Sequence, residues 1–196
     1  MELILATRNE HKLQECTRIL APYGLQVEAL PEQVRLPPED GASFEANAQG
    51  KAIAAALSLG RAVIADDSGI ESEALAGRPG IYSARFAGEG ASDQQNLAKL
   101  LELAPAGSAV RYVCALVLAQ PGEQGIAIQS FFGECRGRLA SHPAGSGGFG
   151  YDPAFLPDEY ADGRTISELT PAEKDAISHR GGALRALAEY LTPAGR

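Results

Sequence analysis

Leu3, Ile4, Leu5 and Ala6 form an unbroken apolar run, which predicts a short buried strand over residues 1–6. The polar triplet Thr7-Arg8-Asn9 interrupts it. Leu13, Cys16, Ile19 and Leu20 then share one face at helical spacing, with Asn9 placed as N-cap and an end before Pro22 and Gly24. Residues 25–30 make the next strand candidate. Ser43 is placed to cap a long alanine-rich helix, FEANAQGKAIAAALSL, which Gly60 closes. A second apolar run at 62–65 predicts another buried strand, running into the polar loop Asp66-Asp67-Ser68-Gly69.

Further along, Ser92 with Gln95 forms a capping-box signature for a helix through about Leu103. Residues 110–119 and 125–139 read as two strands joined by a turn at Pro121-Gly122. Thr170-Pro171-Ala172-Glu173 combines a cap, a first-position proline and a reciprocal acid, a strong helix start. Leu184, Leu187, Ala188 and Leu191 mark the last helix. Helices near both ends, with a strand hairpin in the second half, predict an α/β fold on a mixed sheet, because a hairpin pair cannot be parallel.

Composition narrows the partners. The chain has 196 residues, 45% hydrophobic and 21% charged, which fits one domain over 1–196 or a bilobed unit with a continuous core. No repeat, linker or low-complexity block divides it. The head of the chain is too short in apolar residues for a secretion signal, and nothing nears the roughly 20 apolar residues that span a bilayer. A net charge of −8 opposes nucleic acid and anionic membranes, whose phosphates are met by Lys and Arg. Cys16, Cys114 and Cys135 are far apart and odd in number, which reads as free buried thiols in a soluble cytoplasmic protein rather than a disulfide set. A small anionic substrate stays open, provided that a metal and local basic groups offset the overall field.

Five segments carry candidate chemistry. The first is Thr7-Arg8-Asn9-Glu10-His11-Lys12, where a helix start offers N–H groups and a positive dipole end to a phosphate, and Lys12 adds a point charge. Plain capping by Asn9 beside a solvated lysine explains it as well. The second is Asp66-Asp67-Ser68-Gly69 at a strand end, where carboxylates can hold magnesium and Asp67 can also take a proton from an attacking water. The alternative is a simple turn. Glu39-Asp40, before the Ser43 helix, is either a further acidic ligand or a solvated loop.

The fourth segment, Gly145-Ser146-Gly147-Gly148-Phe149-Gly150-Tyr151-Asp152-Pro153, contains a formal G-x-G-x-x-G. No buried strand precedes it and no helix opens after it, so a dinucleotide fingerprint is disfavoured. A loop that stacks an aromatic ring on a base and bonds its edge suits Phe149, Tyr151 and Asp152 better, with a flexible turn as the alternative. The fifth is Lys174 with Ser178, His179 and Arg180, which can meet phosphate or a purine O6, or form a charged surface corner. No G-x-x-x-x-G-K-[ST], no G-x-S-x-G and no zinc spacing occur, which disfavours a P-loop ATPase or kinase and a zinc hydrolase.

The segments ATRNEHK, FEANAQGKA, ADDSG, PGIYSARFAG, GGFGYDP and AISHRGGAL follow one another over essentially the whole chain. Together they resemble the inosine triphosphate pyrophosphatase family, also called dITP/XTP pyrophosphatases; Arg8 departs from the pattern, in which many relatives carry glycine. The resemblance implies a two-lobed α/β fold around a long mixed sheet with the active site in the cleft, and a homodimer. It implies an Mg2+-dependent hydrolysis of non-standard purine nucleoside triphosphates to monophosphate and pyrophosphate. It carries substrate contact to Thr7, Arg8, Asn9, Glu10, His11 and Lys12, and to Ser68. Asp67 becomes general base and magnesium ligand, with Glu39 as a second ligand. Phe149, Gly150, Tyr151 and Asp152 hold the nucleoside, and Lys174, His179 and Arg180 complete the pocket. A pyrophosphatase for modified pyrimidines and a non-catalytic nucleotide-binding regulator are the competing readings.

Overall fold

The computed structural model of the protein describes residues 1–193. Strand β1 (Glu2–Leu5) leads through Thr7-Arg8-Asn9 into helix α1 (Glu10–Leu20), whose first turn is closed by Asn9 accepting from Lys12 N–H. A short 3-10 turn ends at Gly24, which takes φ 70°. Strand β2 (Gln26–Ala29) follows, then helix α2 (Phe44–Leu59), capped by Ser43 and stopped by Gly60 at φ 61°. Strand β3 (Val63–Ser72), helix α3 (Asp93–Leu103), and the long strands β4 (Ala109–Gly122) and β5 (Gly125–Leu139) come next. Strand β6 (Phe155–Pro157) and helices α4 (Pro171–Ile177) and α5 (His179–Leu191) complete the order.

The sheet runs β2-β1-β3-β4-β5-β6. β1 is parallel to both β2 and β3, with α1 and α2 as the crossovers. The two residues Glu123 and Gln124 join β4 to its neighbour β5, so that pair is antiparallel, as is β5 with β6. The mixed α/β architecture is the one expected.

The chain forms two compact units. Unit 1 comprises Met1–Asp67, Cys114–Gly133 and Arg180–Arg196. Its strands alternate strictly. Leu3, Leu5, Ile64, Leu116 and Leu118 pack with Cys16 and Leu20 of α1 and Leu184 and Leu187 of α5. The intervening Ile4, Ala6, Val63, Ala65, Val117 and Ala119 pack on Ala48, Ala52, Ala55 and Ala56 of α2. Alanine on α2 lets that helix lie close to the strands, and the period of two fixes the register.

Unit 2 comprises Ser68–Val113 and Glu134–His179. Its core gathers Ile70, Leu97, Leu100, Tyr112, Leu139, Tyr151 and Phe155. No helix among the described residues is long and apolar enough to cross a membrane.

The structure differs from the sequence pattern at two places. Asp66-Asp67-Ser68-Gly69 is not a loop, because β3 continues through it to Ser72. Lys12 and Arg180 hold Asp66 and the Asn47 amide holds Asp67 here, so the backbone stays extended. The hairpin turn also lies beyond Pro121-Gly122, since β4 reaches Gly122. β6 went unforeseen: three residues give no periodicity. Its place depends on Gly137, where a Cβ would lie 2.2 Å from the Leu156 carbonyl oxygen. Gly137→Ala is expected to destabilise the fold by about 1–3 kcal/mol through forced separation of β5 and β6, read as a lower urea midpoint.

Candidate active site

In unit 1, the start of α1, the segment before α2, α2 itself, the Asp66-Asp67 step of β3 and the start of α5 supply one charged cluster. Asp66 has 0% exposure, and its carboxylate is met by Lys12 Nζ at 3.1 Å and by Arg180 Nη2 at 3.0 Å. Burial would raise its pKa, but Lys12, Arg180 and Lys51 outweigh that and hold it well below the usual carboxylate range. Arg180, 1% exposed, is also bonded by Glu15 of α1 at 2.5 Å. A guanidinium between two buried carboxylates is an internal counter-charge.

Asp67 differs from its neighbour. It is 7% exposed, and its Oδ2 accepts from the Asn47 amide at 2.9 Å. The amide's orientation is set, since Asn47 Oδ1 accepts from Gly41 N–H at 2.7 Å. Burial pushes the Asp67 pKa up, Lys51, the Asn47 bond and Lys12 pull it down, and Glu39 pushes it up again. The charges of Glu39, Lys12 and Lys51 therefore all reach Asp67. Lys51 is buried in α2, donates to the Asp66 carbonyl at 2.7 Å and pairs with the half-exposed Glu39.

Two carboxylates beside two lysines make a donor set that fits magnesium, which takes one or two protein oxygens and leaves the rest to water and phosphate. Among the described residues no group of three or more His, Cys, Asp or Glu gathers to hold a metal by protein alone.

The helix-start residues divide by task. Asn9 caps α1, while Thr7 Oγ1 accepts from Asn9 N–H. Glu10 and His11 lie exposed in the first turn, and half-buried Lys12 faces Asp66. Arg8 directs its guanidinium to the carbonyls of Leu30, Pro31, Glu32 and Val34 at 2.7, 2.9, 3.2 and 2.9 Å. Its donors thus fasten the 30–34 segment instead of standing over the helix start.

In unit 2 the glycine-rich loop is organised by Asp152. Its Oδ2 accepts from Phe149 N–H at 2.9 Å and from Lys174 Nζ at 2.7 Å, and its Oδ1 accepts from the Tyr112 hydroxyl at 3.0 Å. Gly148, at φ 71°, is required here twice over, because a Cβ would also lie 2.2 Å from Asp152 Oδ2. Tyr151 is buried and donates to the Ser83 carbonyl at 2.8 Å; Gly150 N–H donates to Asp93 at 2.8 Å. The half-buried Phe149 ring lies 4.8 Å from Lys174 Nζ. Tyr112 stacks on His179 at 4.6 Å and on Phe155 at 4.7 Å. Ser68 is half-buried in β3.

Sequence reasoning missed Asn47, Lys51 and Tyr112. Asn47 and Lys51 lie four apart in α2, a polar pair on an otherwise alanine-lined buried face, and that breach of the pattern was the available signal. Tyr112 gave none, because a tyrosine in a strand reads as core. The three cysteines are free and buried, and burial pushes the Cys114 and Cys135 thiols up to about 12, so they stay protonated and inert.

The sequence matches the Ham1 family over residues 3–190. The chain belongs to the Ham1 family. It is 44% identical to a dITP/XTP pyrophosphatase from an Exiguobacterium species, over 98% of each chain. The corresponding protein of Geobacillus kaustophilus is 43% identical, over 96% of this chain and 93% of its own. Among solved structures, a HAM1 protein from Coxiella burnetii superposes with a TM-score of 0.86 at 37% identity, covering 99% of this chain and 100% of that one. The Staphylococcus aureus Ham1 protein gives 0.83 at 36% identity, over 97% and 98%.

Replacing Asp66 with Asn is expected to cost about 3–5 kcal/mol of stability, since it leaves buried Arg180 with Glu15 as its one remaining carboxylate among the described residues and takes the counter-charge from half-buried Lys12. Urea unfolding of Asp66→Asn against the wild type measures this.

Proposed function

We propose that this Ham1-family chain, acting as one domain over 1–196 and as a cytoplasmic homodimer, hydrolyses non-standard purine nucleoside triphosphates such as dITP, ITP and XTP. The products are the nucleoside monophosphate and pyrophosphate. The observation that carries the reading is Asp67: a carboxylate kept at low exposure, lifted in pKa by burial, oriented by Asn47 and set among Lys12, Lys51 and Glu39. The two-carboxylate set is how a phosphate-handling hydrolase meets its cation, and the relatives named above carry the substrate in their names.

Asp67 and Glu39 would hold the divalent cation, here Mg2+. Bound, that cation supplies neutralisation of the charge on the phosphate oxygens. Lys12 and the start of α1 hold the phosphate tail by point charge and helix dipole. Asp67 orients the attacking water and takes its proton. The new bond joins the water oxygen to the α-phosphorus, and the bond that breaks joins the α-phosphorus to the bridging oxygen of the departing pyrophosphate. Phe149, Gly150 and Tyr151, on the loop that Asp152 braces, receive the nucleoside, with Lys174, His179 and Ser68 as further contacts. Arg180 and Arg8 enter through the structure they hold: Arg180 balances Asp66, and Arg8 fastens the 30–34 segment. Donors aimed at a 6-keto oxygen would meet the 6-amino group of adenine donor to donor, which disfavours ATP by about 10⁴-fold.

Asp67→Asn is expected to fold normally and to lose turnover by at least about 10³-fold, with EDTA abolishing wild-type activity and Mg2+ restoring it. Near-normal turnover of a folded variant removes Asp67 from the chemistry. With dITP as substrate, the phosphorus product is expected to be pyrophosphate; orthophosphate appearing first would mean a different bond is cut. Comparable kcat/KM for dITP, XTP, GTP and ATP would make the protein a general triphosphatase.

A further inference from the structure

We infer that Tyr112 is a positioning residue that sets base selection, holding the glycine-rich loop through its hydroxyl and the His179 ring through its face. The inference rests on the reading above that the Phe149 loop receives the nucleoside, and it deepens that reading.

Asp152, buried in unit 2, has its carboxylate shared between three donors: Phe149 N–H, Lys174 Nζ and the Tyr112 hydroxyl. The first two share Oδ2, and among the described residues Tyr112 alone is bonded to Oδ1. The hydroxyl therefore fixes the rotation of the carboxylate, and that rotation aims Oδ2 at the backbone of the residue carrying the half-exposed ring. The loop has little of its own to resist a shift, for it is glycine at 145, 147, 148 and 150, with Gly145, Gly148 and Gly150 at positive φ.

The second contact is the ring face. Tyr112 and His179 stack at 4.6 Å with planes 13° apart, and Tyr112 and Phe155 at 4.7 Å with planes 18° apart. A ring held by two others and by a hydrogen bond at its tip has no rotamer freedom, so it defines the plane in which His179 lies. Burial, then the Asp152 charge, raises the phenol pKa well above its ordinary value, so the hydroxyl remains a donor throughout the working range. Tyr112 touches two of the groups expected at the nucleoside and stands on a β-strand, the more rigid kind of support.

Tyr112→Phe removes one oxygen atom and keeps the stacked ring, so it isolates the hydroxyl's role. Its kcat/KM for dITP should fall about tenfold, the scale of one hydrogen bond to a charged group, with the loss carried by KM. The dITP-to-dGTP and dITP-to-dATP ratios of kcat/KM should narrow. A merely structural role would lower Tm and leave KM and those ratios as in the wild type, and that result overturns the proposal. Phe149→Ala in the same panel separates the two layers. If Phe149→Ala alters the base ratios and Tyr112→Phe does not, the positioning role alone is refuted. If Phe149→Ala leaves the ratios untouched, the nucleoside reading of the loop falls, and this inference with it.

Discussion

Asp66 is a carboxylate without solvent, and the arrangement of unit 1 around the candidate chemistry follows from what such a group requires. An ionised acid in an apolar interior is tolerated only when cations meet it and hydrogen bonds satisfy its oxygens. Lys12 from α1 and Arg180 from α5 meet it through their side chains, and Lys51 from α2 donates to its main-chain carbonyl. Three helices thus converge on one residue of β3. Two of them bring further neighbours: α1 brings its N-terminal turn, and α2 brings the amide of Asn47 and, through Lys51, the carboxylate of Glu39. The adjacent Asp67 inherits an organised surrounding without being neutralised itself. Two consecutive acids therefore divide the work, one holding the cluster together and the other available for chemistry.

Unit 2 uses the same device with different parts. Asp152 is also a buried acid, again with a lysine partner, and again its bonds shape a segment that would not hold one form alone. A run of glycines has a large conformational entropy to lose, and internal hydrogen bonds to a fixed carboxylate offset that loss. What stands at the loop is then a half-buried aromatic ring with a cation near its face, while both oxygens of the Asp152 carboxylate are engaged within the protein. Under the proposed reading, a base would meet that ring by stacking, with polar discrimination left to a few groups whose positions are braced from behind.

The candidate site was partly legible. Motif residues such as Asn9, Lys12, Asp67 and Phe149 could be selected because strand ends, helix starts and glycine-rich turns are where ligand groups gather. The tasks within those motifs were harder to read. Arg8 sits in the middle of the first segment, yet its guanidinium meets four carbonyls of residues 30–34. Arg180 sits in the last motif and turns inward to Asp66, 114 residues away in sequence. An arginine in a motif carries the same letter whether it faces a ligand or a buried acid. Only the side chain's surroundings tell the two apart.

The sequence by itself determined the element types and most of their ends. Asn9, Ser43, Ser92 and Thr170 each cap the helix that their spacing predicts, because a cap is a hydrogen bond closed within four residues and needs no distant partner. The apolar run of β1 and the apolar face of α1 were likewise local, whereas which β1 side chains face which helix was settled by packing. Tertiary structure alone decided that β3 continues through two aspartates, that Asn47 and Lys51 serve Asp67 and Glu39, and that Tyr112 braces the loop at 149–152. These outcomes depend on which charges meet after folding. Coulomb interaction and burial act through space, between residues that the chain itself keeps far apart.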